Sequence, residues 1–68
     1  MMISRNNIKL YMELAGMTQV ELAKQVGATE TSISRYIRGH RIPNVLVAID
    51  IAVALNCSVE DLYSNRKE

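Results

Sequence analysis

Residues 18–39 constrain the fold most, because their pattern fits two short helices joined by a tight turn. Thr18 and Glu21 form a Thr-x-x-Glu capping box, in which each side chain satisfies an otherwise free backbone donor at a helix start. The apolar residues that follow share one helical face and are Leu22, Ala23 and Val26. Gly27 then predicts the end of this helix, because glycine adopts the left-handed conformation that ends many helices.

The second helix of this pair is predicted over about residues 29–38. Thr29 is suited to cap its start, and Gly39 is suited to end it. Its buried face is expected to consist of Ile33, Tyr36 and Ile37. The other residues of this helix are small, polar or charged, so its outer face carries no large apolar side chain.

Three further helices complete the pattern. The first is predicted over about residues 4–15, with one apolar face formed by Ile8, Tyr11, Met12 and Ala15. The fourth is predicted over about residues 45–55, after a cap at Asn44. The fourth helix is apolar almost all round, so we expect it to be buried on most sides and to support the fold centrally.

A capping pair of Ser58 and Asp61 predicts a short fifth helix over residues 59–63. No segment shows the apolar-polar alternation of a strand. The sequence therefore predicts an all-α, compact five-helix fold. We expect one domain over residues 1–68, with a frayed tail at residues 64–68.

The length and composition limit what this chain is. Its 68 residues allow one domain with a small core. No apolar run is long enough to cross a bilayer and the first residues lack a signal-peptide pattern, so we expect a cytoplasmic protein. Cys57 is the only cysteine, which excludes an internal disulfide, and its apolar neighbours favour a packed thiol over a reactive one.

The charge is unevenly distributed, although the net charge is only +1. Residues 1–23 are neutral, residues 24–42 carry +3 and residues 43–68 carry −2. The basic third contains the second helix of the pair described above. This distribution is compatible with nucleic-acid binding, although a solvated charged face has the same composition.

The sequence offers little for catalysis. It lacks a paired carboxylate site, a Cys/His couple and a glycine-rich phosphate loop. His40 has no second His or Cys at metal-ligand spacing. We therefore expect no enzyme activity, no metal, no cofactor and no small-molecule ligand.

Several linked motifs make the chain similar to a known family. They are the run Met-Thr-Gln-Val-Glu-Leu-Ala at residues 17–23, Val26-Gly27, Ser32-Ile33-Ser34-Arg35, Arg38-Gly39 with Pro43, and Ile51-Ala52, Leu55 and Ser58-Val59-Glu60-Asp61-Leu62. Over about residues 8–63 they resemble the phage repressor and Cro-type (XRE-like) helix-turn-helix family. The resemblance implies a lambda-repressor-like fold whose helices 2 and 3 form the helix-turn-helix. It also implies a small stand-alone regulator that binds operator DNA.

Two features depart from the family pattern. Met12 and Ile37 stand where members often carry an arginine and a glutamate. Both partners of a semi-buried ion pair are then apolar, which avoids a stranded charge. We therefore expect Met12 and Ile37 to contact each other. The modest net charge is the second departure, and it argues against tight non-specific DNA binding.

The resemblance places the third helix, about residues 29–38, in the major groove of DNA. Glu30 and Thr31 are then candidates for base contacts, with cytosine N4 and a thymine methyl group as partners. Glu30 is equally a favourable first-turn residue for the helix dipole. Arg35 is long enough to reach the edge of a guanine or, alternatively, a phosphate.

Contacts with DNA phosphates supply most of the affinity of such proteins. The candidates lie at the start of helix 2 and around helix 3, and are Gln19, Thr29, Ser34, Arg38, His40, Arg41 and Asn44. For Ser34 a base or only water is an alternative partner, and Thr29 is at least a helix cap.

Two copies would span successive major grooves of a two-fold symmetric operator. The expected homodimer surface is the fifth helix and the loop before it, with Val59, Leu62 and Tyr63 as apolar contacts. Alternatively, Val59 and Leu62 only close the core. Dimerisation in free solution is left open.

The sequence thus predicts a transcriptional regulator, a repressor, whose partner is double-stranded operator DNA. A protein-interaction module, such as an antitoxin or adaptor, is the alternative. The low net charge and the acidic last third favour that alternative, whereas the arginines beside helix 3 argue against it.

Overall fold

A computed structural model describes residues 6–63 and forms five α-helices in this range. They are α1 (Ile8–Ala15), α2 (Gln19–Val26), α3 (Glu30–Ile37), α4 (Val45–Ala54) and α5 (Val59–Tyr63). No strand occurs among the described residues, and the all-α, five-helix prediction is confirmed. The predicted frayed tail, residues 64–68, lies outside the described residues.

The first helix begins later than predicted. Residues 4 and 5 lie outside the described range, and residues 6 and 7 are not helical. The Asn6 carboxamide accepts a hydrogen bond from the Ile8 N–H (3.0 Å) and donates one to the Tyr36 carbonyl (2.8 Å). The Asn7 N–H donates to the Leu62 carbonyl at 2.7 Å. These bonds tie residues 6 and 7 to the ends of α3 and α5, so they cannot continue the helix.

The starts of the other helices follow their capping residues. The Thr18 Oγ accepts from the Glu21 N–H (3.1 Å), and the Glu21 carboxylate accepts from the Thr18 N–H (2.9 Å), which completes the predicted capping box. Side-chain caps at the starts of α3, α4 and α5 come from Thr29, Asn44 and the pair Ser58 and Asp61. Local hydrogen bonding thus sets where these helices begin.

Replacing Thr18 by alanine is expected to lower the free energy of unfolding by about 1 kcal/mol. The reason is that the Glu21 N–H loses its acceptor, and the reciprocal bond loses its partner. Urea unfolding followed by circular dichroism measures the change. Thr31→Ala is the matched control, because Thr31 is exposed within α3 and alanine is the better helix former. Equal losses in both variants would contradict a capping role for Thr18.

The turn between α2 and α3 is three residues long and depends on Gly27. Gly27 has φ 72°, a left-handed value that residues with a Cβ rarely adopt. The Ala28 N–H donates to the Ala23 carbonyl (2.9 Å) and the Gly27 N–H donates to the Lys24 carbonyl, so these two carbonyls in the last turns of α2 have partners. Because the turn is this short, α3 starts immediately beside the end of α2.

The core contains residues from all five helices and Leu55, which directly follows α4. Its members are Ile8, Met12, Leu22, Ala23, Ile33, Tyr36, Ile51, Ala52, Leu55 and Leu62. The predicted buried faces of α2 and α3 are confirmed, with Val26 and Ile37 partly buried at their edges. Ala15 is exposed rather than buried, because α1 ends there and the chain turns away at Gly16.

The prediction that the fourth helix is buried on most sides is wrong. The helix has one buried apolar face and one exposed apolar face. The inner face consists of Ala48, Ile51 and Ala52. On the outer face Ile49 is 44% exposed, and three residues are each 73% exposed, namely Val45, Leu46 and Val53. α2 and α5 pack against α4, and five short helices provide no further layer to cover its other side.

The single cysteine is packed against the core. Burial raises the pKa of the Cys57 thiol above its ordinary value, and the negative charge of Asp61 raises it further. The thiol is therefore protonated at neutral pH, and the prediction of a packed thiol is confirmed. Among residues 6–63 no helix has the length and apolar character needed to span a membrane.

Candidate nucleic-acid interface

The two helices of the predicted motif present one polar surface. α3 packs against α2 and α1 and is anchored in the core by Ile33 and Tyr36. The exposed large apolar side chains of the described residues all lie outside α3. The outer surface of α3 is therefore polar, as the sequence pattern predicted.

Five predicted contact residues line one shallow, solvent-open depression, and they are Gln19, Glu30, Thr31, Ser34 and Arg38. Gln19 is the first residue of α2, whereas the others belong to α3 or follow it directly. The short turn at Gly27 makes this arrangement possible, since it sets the start of α2 beside the outer face of α3. Gln19 and Ser34 are half-buried, which restricts the positions that their side chains can take.

The polar residues of α3 fall into two adjacent rows along the helix. One row is formed by Glu30, Ser34 and Arg38, each one turn after the other. The second row is formed by Thr31 and Arg35, which are also one turn apart. Arg35 is exposed, and it lies beside the depression rather than in its lining. The structure therefore brings the three predicted base-contacting residues, Glu30, Thr31 and Arg35, to one helical surface.

The loop that follows α3 is held in place by backbone hydrogen bonds. The Gly39 N–H donates to the Tyr36 carbonyl (3.1 Å), and the His40 N–H donates to the Arg35 carbonyl (3.0 Å). This pattern ends α3 sharply, with Gly39 at φ 76°. The cationic and polar side chains next to this turn are all exposed and are Arg38, His40, Arg41 and Asn44.

Two of the predicted phosphate contacts already act as helix caps. The Thr29 hydroxyl donates to the Ser32 Oγ and accepts from the Ser32 N–H, both at 3.0 Å. A phosphate would have to replace the first of these bonds. The Asn44 Oδ1 accepts from the Val47 N–H at 2.9 Å, so the side-chain amide N–H groups of Asn44 are the ones that can donate to a phosphate.

The sequence pattern did not identify one residue that lines this surface and one that holds α3 in place. Lys9 on α1 lines a second depression together with Gln19 and Arg38, which adds a cation to the edge of the site. Asn6 holds the Tyr36 carbonyl and so fixes the end of α3. Two features of the sequence could have indicated these residues. Lys9 lies off the apolar face of α1, and an Asn-Asn pair precedes Ile8.

Met12 and Ile37, the apolar residues at the two positions where family members often carry an ion pair, lie next to this surface. Met12 is buried, and Ile37 packs against the core. Both line the depression between α1 and α3 that also contains Lys9. Direct contact between the two side chains stays a prediction.

The predicted homodimer residues of α5 differ in their exposure. Val59 is exposed, and Tyr63 is half-buried against the core. Leu62 is 0% exposed within the chain, so the prediction that its side chain contacts a second copy is wrong. Leu62 instead closes the core, where its backbone carbonyl also accepts from Asn7.

Comparison with known proteins agrees with this geometry. The family model described as helix-turn-helix matches residues 8–62. An HTH-type transcriptional regulator of Archaeoglobus fulgidus is 37% identical over 59 residues, which cover 87% of this chain and 84% of that protein.

Two solved structures have the same fold. The P22 c2 repressor in complex with a synthetic operator has a TM-score of 0.82 and 27% identity, covering 88% of this chain and 91% of that chain. The N-terminal DNA-binding domain of SinR from Bacillus subtilis has a TM-score of 0.80 and 25% identity, covering 91% of each chain. The five-helix fold is thus that of lambda-repressor-like domains, as the resemblance implied. The chain belongs to the helix-turn-helix family of XRE type, whose members are DNA-binding transcriptional regulators and not enzymes.

Proposed function

We propose that this regulator is a repressor that inserts α3 into the major groove of a two-fold symmetric operator. The observation that carries the proposal is the polar outer face of α3, with Gln19 beside it and the arginines following it. An α-helix fits the major groove, and residues on its outer face reach base edges there.

The base contacts are proposed at three positions on the outer surface of α3. Glu30 and Thr31 lie in the first turn, where a recognition helix meets the bases. Arg35 continues the row of Thr31 by one turn and carries a guanidinium that can bond O6 and N7 of a guanine together. Base contacts at these three positions would specify the sequence, whereas the remaining contacts would hold the protein on the DNA backbone.

The backbone contacts flank α3 on both sides. At the start of α2, the Gln19 side chain and the free N–H groups of the first turn offer donors to a phosphate. On the other side, three cationic or imidazole side chains and one carboxamide are exposed, namely Arg38, His40, Arg41 and Asn44. Ser34 lies between the two groups. Thr29 would join only by giving up its bond to Ser32.

The solved relatives support the repressor role and the operator. The P22 c2 repressor, which shares this fold, was solved with a synthetic operator. Two copies of this chain on one operator would place two α3 helices in successive major grooves, about 34 Å apart. Such a protein would act in the cytoplasm, with double-stranded DNA as its partner and no small-molecule effector.

Selection of bound sequences from random duplex DNA, followed by a salt titration on the selected site, tests the proposal. We expect a motif with two-fold symmetry, half-sites about one helical turn apart, and an affinity that falls steeply with salt. Reporter expression from a promoter that overlaps the selected site then tests repression. No enriched motif would contradict the proposal and would favour the protein-interaction alternative.

A further inference from the structure

The depression that contains Lys9 extends the polar surface onto α1. We call it the α1 depression, and it lies between α1, the start of α2 and α3. Its volume is about 450 Å³, many times the ~30 Å³ that one water molecule takes in the liquid, so a phosphate group fits into it. Two of its charged residues, Lys9 and Glu13, are not among the proposed DNA contacts. The function proposed above therefore leaves these two residues without a role.

The α1 depression has an apolar floor and a charged rim. Met12 is 5% exposed at its base, and Ile37 packs against the core beside it. Lys9 and Glu13 are exposed and lie one turn apart on α1, whereas Arg38 is exposed directly after α3. Apolar walls strengthen the electric field of the charges around a cleft. With two cations and one anion at its rim, the depression favours a negatively charged group.

The α1 depression is continuous with the surface proposed to face the bases. Gln19, Ser34 and Arg38 line both this depression and the one that contains Glu30 and Thr31. A phosphate bound by Gln19 would therefore lie at the border between the two depressions. The next phosphate along that strand, on the side away from the bases, would then lie over α1.

We propose that Lys9 binds a backbone phosphate of DNA from α1 and that Glu13 limits the strength of this contact. The inference rests on the proposed function, because it extends the same interface by one helix. The Lys9 ammonium group donates to the phosphate oxygens, with Arg38 on the other side of the depression. The Glu13 carboxylate, one turn from Lys9, repels the same phosphate. The pair thus adds a contact while keeping the sequence-independent part of the affinity moderate.

Fluorescence anisotropy over a range of salt concentrations tests the Lys9 contact on the selected operator and on a random duplex of equal length. Lys9→Ala is expected to weaken binding to both duplexes by about five- to thirtyfold at low salt, because a phosphate contact does not depend on sequence. With two copies on the operator, the slope of log affinity against log salt should become shallower by about two. Lys9→Arg should retain the original slope, because it keeps the charge.

Glu13→Gln tests the opposing charge. This variant is expected to bind both duplexes about three- to tenfold more tightly, because the repulsion between Glu13 and the phosphate is removed. Glu13 and Lys9 are exposed, so the variants should keep the fold, and circular dichroism checks this. Weaker binding by Glu13→Gln would overturn the role proposed for Glu13.

Two matched variants remove the same charges away from the α1 depression. Lys24→Ala removes an exposed cation in the last turn of α2. Glu60→Gln removes an exposed anion on α5, which packs against α4. We expect Lys24→Ala to leave the salt slope nearly unchanged and Glu60→Gln to alter the affinity less than about twofold. Effects equal to those of Lys9→Ala and Glu13→Gln would show that only the total charge matters, which would overturn the proposal.

Operators with a single neutral phosphate identify the partner of Lys9. Methylphosphonate groups, which carry no charge, are placed one at a time along each half-site and its flanks. At one position we expect neutralisation to weaken binding of the unaltered protein about tenfold and to weaken binding of Lys9→Ala hardly further, because both changes remove the same interaction. Additive losses at every position would overturn the Lys9 contact.

This inference and the proposed function can fail separately. A selected motif whose binding Lys9→Ala leaves unchanged would retain the operator and reject the α1 contact. Salt-sensitive binding that depends on Lys9 but selects no motif would retain the α1 contact and reject the operator. A protein that binds neither duplex would contradict both.

Discussion

Replacing Leu22 by alanine is expected to lower the free energy of unfolding by about 2–5 kcal/mol. Leu22 is 0% exposed and lies in the core, on the helix that packs against both α3 and α4. Removing its side chain leaves a cavity, and the surrounding helices can only partly fill it. Because a domain of this kind has only about 5–15 kcal/mol of stability, the variant should be partly unfolded near 37 °C.

Chemical denaturation followed by circular dichroism measures this change, and a second alanine variant on α2 provides the control. Val20 is an exposed residue two positions earlier in the same helix. Val20→Ala is expected to change the free energy of unfolding by less than about 0.5 kcal/mol. A loss below about 1 kcal/mol for Leu22→Ala would mean that Leu22 is not a central core residue.

Replacing Arg35 by alanine is expected to weaken operator binding by about 1–3 kcal/mol, which is roughly a fivefold to 150-fold change. Arg35 is exposed at the end of α3, so its removal should leave the fold intact. If its guanidinium contacts a base, selection of bound sequences by the variant should also show relaxed preference at one operator position. If it contacts a phosphate, binding should fall about equally on all sequences.

Fluorescence anisotropy with the selected operator measures the affinity, and Lys24→Ala is the matched control. Lys24 is exposed on α2 and carries the same charge, but it lies in the last turn of that helix, away from Gln19. We expect the control to lose much less affinity than Arg35→Ala. Equal losses would indicate that only the total charge of the protein matters, and unchanged binding by Arg35→Ala would exclude Arg35 from the interface.

Local signals in the sequence were sufficient to predict most helix boundaries. The capping box at Thr18 and the cap at Asn44 act through bonds to residues three positions away. The left-handed turn at Gly27 likewise depends on the backbone of neighbouring residues. Such interactions are complete within a few residues, so they can be inferred without knowing the rest of the fold.

The α3 surface was also predictable, for a related reason. The period of a helix places Glu30, Ser34 and Arg38 on one side and Ile33 and Tyr36 on the other. Only one face of α3 is apolar, so its orientation follows from its composition. The depression shared with Gln19 follows in turn from the three-residue turn between the helices.

Other features were decided by contacts between residues far apart in the chain. Asn6 and Asn7 are bound to Tyr36 and Leu62, and these bonds, which no local pattern shows, delay the start of α1. Leu62 and Val59 are both apolar residues of α5, yet Leu62 is fully buried and Val59 is exposed. Which of them faces the core depends on where α4 lies.

The fourth helix shows most clearly which features the sequence determines and which depend on tertiary contacts. Its sequence determined that it is a helix and that it is apolar on nearly all sides. Composition of that kind cannot distinguish a helix surrounded by its own chain from one that leaves a face exposed. Only the tertiary structure, in which the neighbouring helices leave Leu46, Ile49 and Val53 exposed, decided that one face of α4 is uncovered.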